Sequence, residues 1–134
     1  MKQFLTFGIC LLSIVSYSQV YKFKAYQTYV REDLSKDIDP AKWNTVDFLV
    51  VVNLTKNKIN TYGNKEGDYD LIKLTDDYTT KGGDRIITYT AVDEDGEKCT
   101  IQIIRYKDAD ISAAATIVIQ YHSGELAFRV KKDD

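Results

Sequence analysis

The chain has 134 residues, with 18 Lys or Arg side chains against 20 Asp or Glu, so its formal net charge is −2. This length suits one domain with a single core. The charges are interspersed along the chain, and phosphate binding needs a concentrated positive surface, so the composition argues against nucleic-acid binding.

The first 18 residues have the pattern of a secretory signal peptide. Lys2 gives the positive start, an apolar run follows at 4–15, and the small residues Ser16 and Ser18 stand at the −3 and −1 positions of a cleavage site. This run is shorter than the roughly 20 residues that a membrane-spanning helix needs, and no later run reaches that length. We therefore expect cleavage before Gln19 and an exported β domain at 19–134. It would be soluble, periplasmic or extracellular, and without a membrane span.

Residues 19–134 are rich in Tyr, Val, Ile and Thr, which favour strands. Alternation in the first strand predicts that Tyr21, Phe23, Ala25, Gln27 and Tyr29 share one face. A short helical turn is predicted at 39–43, and a tight acidic hairpin at 93–96. A polar loop is expected at 76–83. The eight predicted strands cover 20–31, 46–54, 58–62, 69–75, 85–92, 97–106, 113–121 and 125–131.

Eight short strands separated by close turns predict an all-β fold. A meander of this kind leaves two open edges, and eight strands can close into a small barrel that removes them. We therefore predict an antiparallel up-and-down barrel or a strongly curled meander, with a two-sheet β-sandwich as the alternative.

The strand number and the export signal resemble those of the calycins, the small exported barrels that include the lipocalins. The lipocalin Gly-x-Trp near the start of the first strand is absent, and Trp43 instead follows the first loop. No family residue is therefore carried over to this chain. The resemblance implies only a class of function, the sequestration of a small apolar molecule.

Cysteine usage leaves one thiol in the predicted domain. Cys10 lies inside the apolar run of the leader, so Cys99 has no partner after cleavage. Its alternation with Ile101 and Ile103 predicts a buried small side chain in the core. The alternative is a reactive or intermolecular thiol.

Five residues are candidates for ligand binding. Trp43 is either a plug at one end of the barrel or a wall on which a ligand stacks. The predicted domain has nine tyrosines, spread over most of its strands, and three of them are candidates: Tyr21, Tyr89 and Tyr121. A tyrosine combines an apolar ring with a polar tip. Arg105 continues the alternation of Ile101 and Ile103, so it points inward near one mouth and can bind a carboxylate, unless it extends outward to solvent.

We find no catalytic, metal or cofactor signature in the sequence. If Gly96 is taken as the sixth residue of an EF-hand calcium loop, the first position is Ala91 and the twelfth is Gln102. Two essential ligands are then missing, so the acidic hairpin does not fit this calcium motif. His122 is the single histidine and stands beside Ser123 without a nucleophile motif. We therefore predict a non-catalytic protein that binds a small apolar or amphipathic molecule in its barrel. The alternative is an interaction module with a filled core, which binds a protein or glycan through an outer face.

Overall fold

The computed structural model describes residues 20–32, 42–63, 66–107 and 115–132. The predicted leader and the turn at Asp39-Pro40 lie outside these ranges. Within them no helix is long and apolar enough to cross a membrane. The chain forms eight strands: β1 Val20–Arg31, β2 Asn44–Asn53, β3 Lys58–Tyr62, β4 Gly67–Thr79, β5 Arg85–Asp93, β6 Lys98–Arg105, β7 Ala115–Gln120 and β8 Glu125–Lys132.

These strands form a closed antiparallel barrel. Each one pairs with the next along the chain, and β1 also pairs with β8. Closure gives the outer strands of the meander a partner and so removes exposed edges. The prediction of an all-β up-and-down barrel of about eight strands is confirmed, and the sandwich alternative is excluded.

β-Branched side chains fill the middle of the barrel. Val50, Ile59, Ile101 and Ile119 are fully buried there. Burying a side chain of this size contributes about 1.5–3 kcal/mol, so this apolar layer is the main source of stability. Cys99 packs in the same core as a free thiol, which confirms the prediction of a buried cysteine.

A β-bulge in β1 reverses the face on which its side chains lie. Two steps from Ala25 to Gln27 are matched by one step on β8, from Val130 to Arg129, so Tyr26 is an extra residue. Ala25 faces the core opposite Val130, whereas Tyr29 pairs with Ala127, which stands outside the core cluster. The prediction that Gln27 and Tyr29 share the inner face of Ala25 is therefore wrong.

β4 is longer than predicted. Its residues from Asp76 to Thr79, predicted as part of a polar loop, pair with β5 from Thr88 to Arg85. The remaining loop is short and is closed by a hydrogen bond of 2.9 Å from the Gly83 N–H to the Thr80 carbonyl oxygen. The longer hairpin brings the side chain of Asp77 to Arg85.

The predicted hairpin at 93–96 is present. The Gly96 N–H donates a hydrogen bond of 3.0 Å to the Asp93 carbonyl oxygen. Gly96 has a φ of +82°, which a residue with a Cβ rarely adopts, and this explains the glycine at that position. The hairpin holds Asp93 at one end of the barrel.

Candidate functional site

The interior of the barrel consists of a packed central layer with an open cavity at each end. No residue lines both cavities. The central layer is the set of buried inward-facing residues that line neither cavity: Ala25, Val50, Ile59, Leu71, Ala91, Cys99, Ile101 and Ile119. The central layer therefore separates the two cavities.

One cavity, here called the basic cavity, has a volume of about 900 Å³. It opens where β1, β5 and β7 begin and where β2, β6 and β8 end. Its wall is mainly apolar, and its charged residues are four cations and one carboxylate. The apolar wall includes Phe23, Val52, Leu54, Ile87, Ile103 and Ile117, and the charged residues are Lys22, Asp77, Arg85, Arg105 and Lys132.

Two arginines of the basic cavity differ in their pairing. The Arg85 guanidinium donates two hydrogen bonds to the carboxylate of Asp77, of 3.0 Å from Nε to Oδ1 and 2.8 Å from Nη2 to Oδ2. The hydrogen bond from Arg85 lowers the pKa of Asp77, so the pair stays ionised. Arg105 lies opposite Arg85 in the strand register, and no carboxylate of the described residues pairs with it. Among the described residues, Arg105 is therefore a cation of this cavity that is available to an anion, as are Lys22 and Lys132.

Two tyrosines complete the wall of the basic cavity. The Tyr21 ring stacks on Phe23 with ring centroids 6.5 Å apart, and its side chain remains half exposed. Burial raises the pKa of Tyr89, so its hydroxyl stays protonated and can donate a hydrogen bond. Tyr21, Tyr89 and Arg105 are thus brought together on one cavity, as the alternation of their strands requires.

The cavity at the opposite end, here called the acidic cavity, has a volume of about 960 Å³. Its floor is aromatic and aliphatic, and Phe48 and Phe128 meet edge to face with ring centroids 5.4 Å apart. Eight acidic residues and a single Arg line it among the described residues, although the Asp47 carboxylate lies 3.0 Å from Nζ of Lys24 and is thus paired. These are Glu32, Asp47, Glu66, Asp93, Glu94, Asp95, Glu97 and Glu125, with Arg31.

Three hydrogen bonds hold the carboxylate of Asp93 in the acidic cavity. Its Oδ1 accepts hydrogen bonds from the N–H groups of Asp95 and Glu97, at 3.0 and 2.9 Å, and its Oδ2 accepts one of 3.0 Å from the Tyr121 hydroxyl. Burial acts to raise the pKa of Asp93, but the hydrogen bonds outweigh it and lower the pKa below its usual value. Tyr121, predicted to share a site with Tyr21 and Tyr89, therefore belongs to the other cavity.

Trp43 lines neither cavity. Its ring meets Tyr29 edge-on, with ring centroids 4.6 Å apart, and the guanidinium of Arg129 lies 4.1 Å from the centroid of a Trp43 ring. Gln27 accepts a hydrogen bond of 2.9 Å from Arg129 Nη1. Because Tyr29 and Arg129 lie on the outer face, Trp43 covers the seam between β1 and β8 from outside.

A buried carboxylate stabilises the same seam. Glu125 Oε1 accepts a hydrogen bond of 2.5 Å from the Tyr29 hydroxyl and lies 2.9 Å from Nη2 of Arg31. Burial, followed by this hydrogen bond, raises the pKa of Tyr29. This cluster was not predicted, because Tyr29 was assigned to the inner face and Arg31 and Glu125 to strand ends.

Sequence analysis also missed Arg85, Asp77 and Asp93 as cavity residues. Arg85 shares the alternation of Ile87 and Tyr89, the same signal that placed Arg105 inward. Asp77 was assigned to a loop and Asp93 to a solvated turn. No three or more His, Cys, Asp or Glu side chains of the described chain are arranged to hold a metal ion.

The fold and cavities define a class of protein: an up-and-down barrel of eight strands with space for small molecules at its ends, an architecture that fits the calycins. Comparison with known protein families, with curated proteins and with solved structures finds no match for this chain.

Proposed function

We propose that this is an exported, non-catalytic binding protein that holds a small amphipathic anion in the basic cavity. The observation that carries the proposal is the apolar wall of an approximately 900 Å³ cavity, on which Arg105 pairs with no carboxylate of the described residues. Small-molecule sites commonly have this volume, with a mainly apolar lining and a few polar groups that fix orientation.

The two parts of such a ligand contribute differently. Burial of an alkyl tail gains about 0.8 kcal/mol per methylene, so an eight-methylene tail gains roughly 6 kcal/mol before the entropic cost of association. A charge-assisted hydrogen bond to Arg105 adds about 1.5–3 kcal/mol. Tail length therefore sets most of the affinity, whereas the head group sets orientation and selectivity.

The open ends also favour ligand binding over the interaction-module alternative, which needs a filled core. Apolar residues such as Ile87 and Ile103 line space at the basic end rather than filling it. A protein or glycan partner would instead contact the outer face, and its binding would leave these residues unperturbed.

The test is calorimetric titration with decanoate and with decanol, which have the same tail length. We expect decanoate to bind more tightly, and its binding to shift the methyl NMR signals of Ile87 and Ile103. Arg105→Gln should weaken decanoate binding about tenfold or more and leave decanol binding nearly unchanged. The matched control is Lys98→Gln, which removes one positive charge outside both cavities.

Equal affinity for decanoate and decanol would refute the role of positive charge in the basic cavity. Methyl shifts confined to residues outside the cavity, or an unchanged affinity of the Arg105 variant, would refute the proposed site.

A further inference from the structure

We propose that the acidic cavity is a second binding site, which takes a small organic cation with an aromatic or aliphatic group. It lies at the other end of the barrel from the basic cavity and shares no lining residue with it. The inference is therefore independent of the function proposed for the basic cavity.

The floor of the acidic cavity suits the apolar part of such a ligand. Phe48, Phe128 and Leu126 line it, together with Tyr69, which is 7% exposed. Aromatic faces attract ammonium groups as well as apolar groups, and the attraction grows when water is excluded. This floor favours an organic cation over a hydrated inorganic one.

The charge of the acidic cavity selects a cation. Arg31, the one Arg among the described residues that line it, already lies 2.9 Å from a Glu125 oxygen. Asp93 is the anchor because three hydrogen bonds fix its carboxylate and favour its ionised form. A fixed carboxylate needs little reorganisation to accept an ammonium group.

The Thr61 hydroxyl gives an observation independent of charge. Thr61 is 5% exposed and lines the acidic cavity, yet its hydroxyl makes no hydrogen bond with a described residue. The hydroxyl oxygen itself reaches the open cavity, so a ligand N–H or O–H can bind to it there. A Cβ added to Gly67 would lie 2.7 Å from Thr61 Oγ1, and the glycine therefore keeps this hydroxyl open to the cavity.

The test uses 2-phenylethylammonium, with 2-phenylethanol as the neutral analogue of the same shape. Titration of methyl-labelled protein should shift the signals of Val46 and Leu126 and leave those of Ile87 and Ile103 in place. We expect the ammonium compound to bind at least about fivefold more tightly than the alcohol, because a charge-assisted hydrogen bond is about twice as strong as a neutral one.

Two variants test the anchor. Asp93→Asn keeps an oxygen for the hairpin hydrogen bonds but removes the charge, and it should weaken binding of the ammonium compound about tenfold. Thr61→Val keeps the shape and should weaken it about threefold. Asp76→Asn is the matched control, because it removes one charge outside both cavities.

Equal binding of the alcohol and the ammonium compound would overturn the proposal, as would an unchanged affinity of the folded Asp93 variant. Should the Asp93 variant not fold, an unchanged affinity of Thr61→Val would overturn it alone. Displacement of the ammonium compound by equimolar Ca²⁺ would instead identify an inorganic cation site and refute the organic ligand.

Discussion

Removing the Tyr29 hydroxyl tests whether the β-bulge at Tyr26 places the Tyr29 side chain on the outer face of the barrel. In Tyr29→Phe the ring keeps its edge-on contact with Trp43, but Glu125 loses the donor 2.5 Å from its Oε1. The Glu125 side chain is only 7% exposed, so water replaces that donor poorly. A hydrogen bond to a charged group contributes about 1.5–3 kcal/mol. Arg31 remains as a partner, and we therefore expect a loss of about 2 kcal/mol.

Equilibrium unfolding in urea, followed by circular dichroism, measures this loss. The slope of the transition should be unchanged and its midpoint lower. In thermal unfolding the same loss lowers Tm by roughly 8 °C for a domain of this size. Tyr62→Phe is the matched control, because Tyr62 is half exposed on β3 and should change stability by less than about 0.5 kcal/mol.

A double-mutant cycle assigns the loss to the pair. Tyr29→Phe combined with Glu125→Gln should cost less than the sum of the two single changes, by about 1 kcal/mol. If Tyr29→Phe costs no more than Tyr62→Phe, the hydroxyl does not contact a buried carboxylate. The outward placement of Tyr29 would then be refuted, and with it the bulge at Tyr26.

Three other predictions concern different parts of the molecule. Burial raises the pKa of the Cys99 thiol from 9.0 to about 11. The thiol should thus resist alkylation at pH 8 until the protein is unfolded. The native state holds this proton more tightly, so stability falls as pH rises from about 9 to 11, and less steeply in Cys99→Ala. Thr61→Val should change the free energy of unfolding by less than about 0.5 kcal/mol in denaturant titrations, because the hydroxyl reaches the open cavity and makes no hydrogen bond with a described residue. Exported protein should begin at Gln19 by intact mass, and a mass that includes Met1 would contradict the predicted leader.

Much of the fold could be predicted because alternation and turn chemistry are local. The bounds of β1 and β3 match the predicted 20–31 and 58–62. Closure followed from the edge-strand argument, since a meander of eight strands needs partners for its first and last members. The acidic hairpin was readable because Gly96 marks the positive φ that such a turn uses.

Which face of the sheet each side chain of β1 occupies after Ala25 could not be predicted from the residues. Tyr26 is as suitable for a regular strand as its neighbours, so nothing in its identity marks an extra residue. The bulge is set by the register with β8, which depends on contacts about a hundred residues away in the sequence. One inserted residue then moves every later side chain of the strand to the other face.

The end of β4 was missed for a related reason. Asp76, Asp77 and Thr79 have low strand preference or short polar side chains, which are typical of loops. They form a strand because Ile86 and Ile87 on β5 supply a strongly β-forming partner across the hairpin. The same pairing puts Asp77 beside Arg85, and so neutralises one of the two opposed arginines.

Residues of the candidate sites could be predicted only on strands whose side chains alternate regularly between the inner and outer face. Tyr89 and Arg105 lie on regular strands, and the structure places both on the basic cavity. The separation of Tyr121 from them could not be seen, because a strand pattern gives the face of a residue but not which end of the barrel it reaches. Its end is set by chain direction and by the stagger between neighbouring strands.

The division of the interior follows from the size of the barrel. Eight strands enclose a space just wide enough to be filled by side chains, and Ile and Val fill it at the middle. Near the ends the inward positions include long charged residues such as Arg85 and Arg105, whose head groups extend to water and leave apolar space beneath them. The two cavities then carry opposite charge because acidic hairpin residues gather at one end and strand-terminal Lys and Arg at the other. Since the central layer separates them, a ligand at one end contacts no residue of the other, and each end can evolve its own selectivity without disturbing its counterpart.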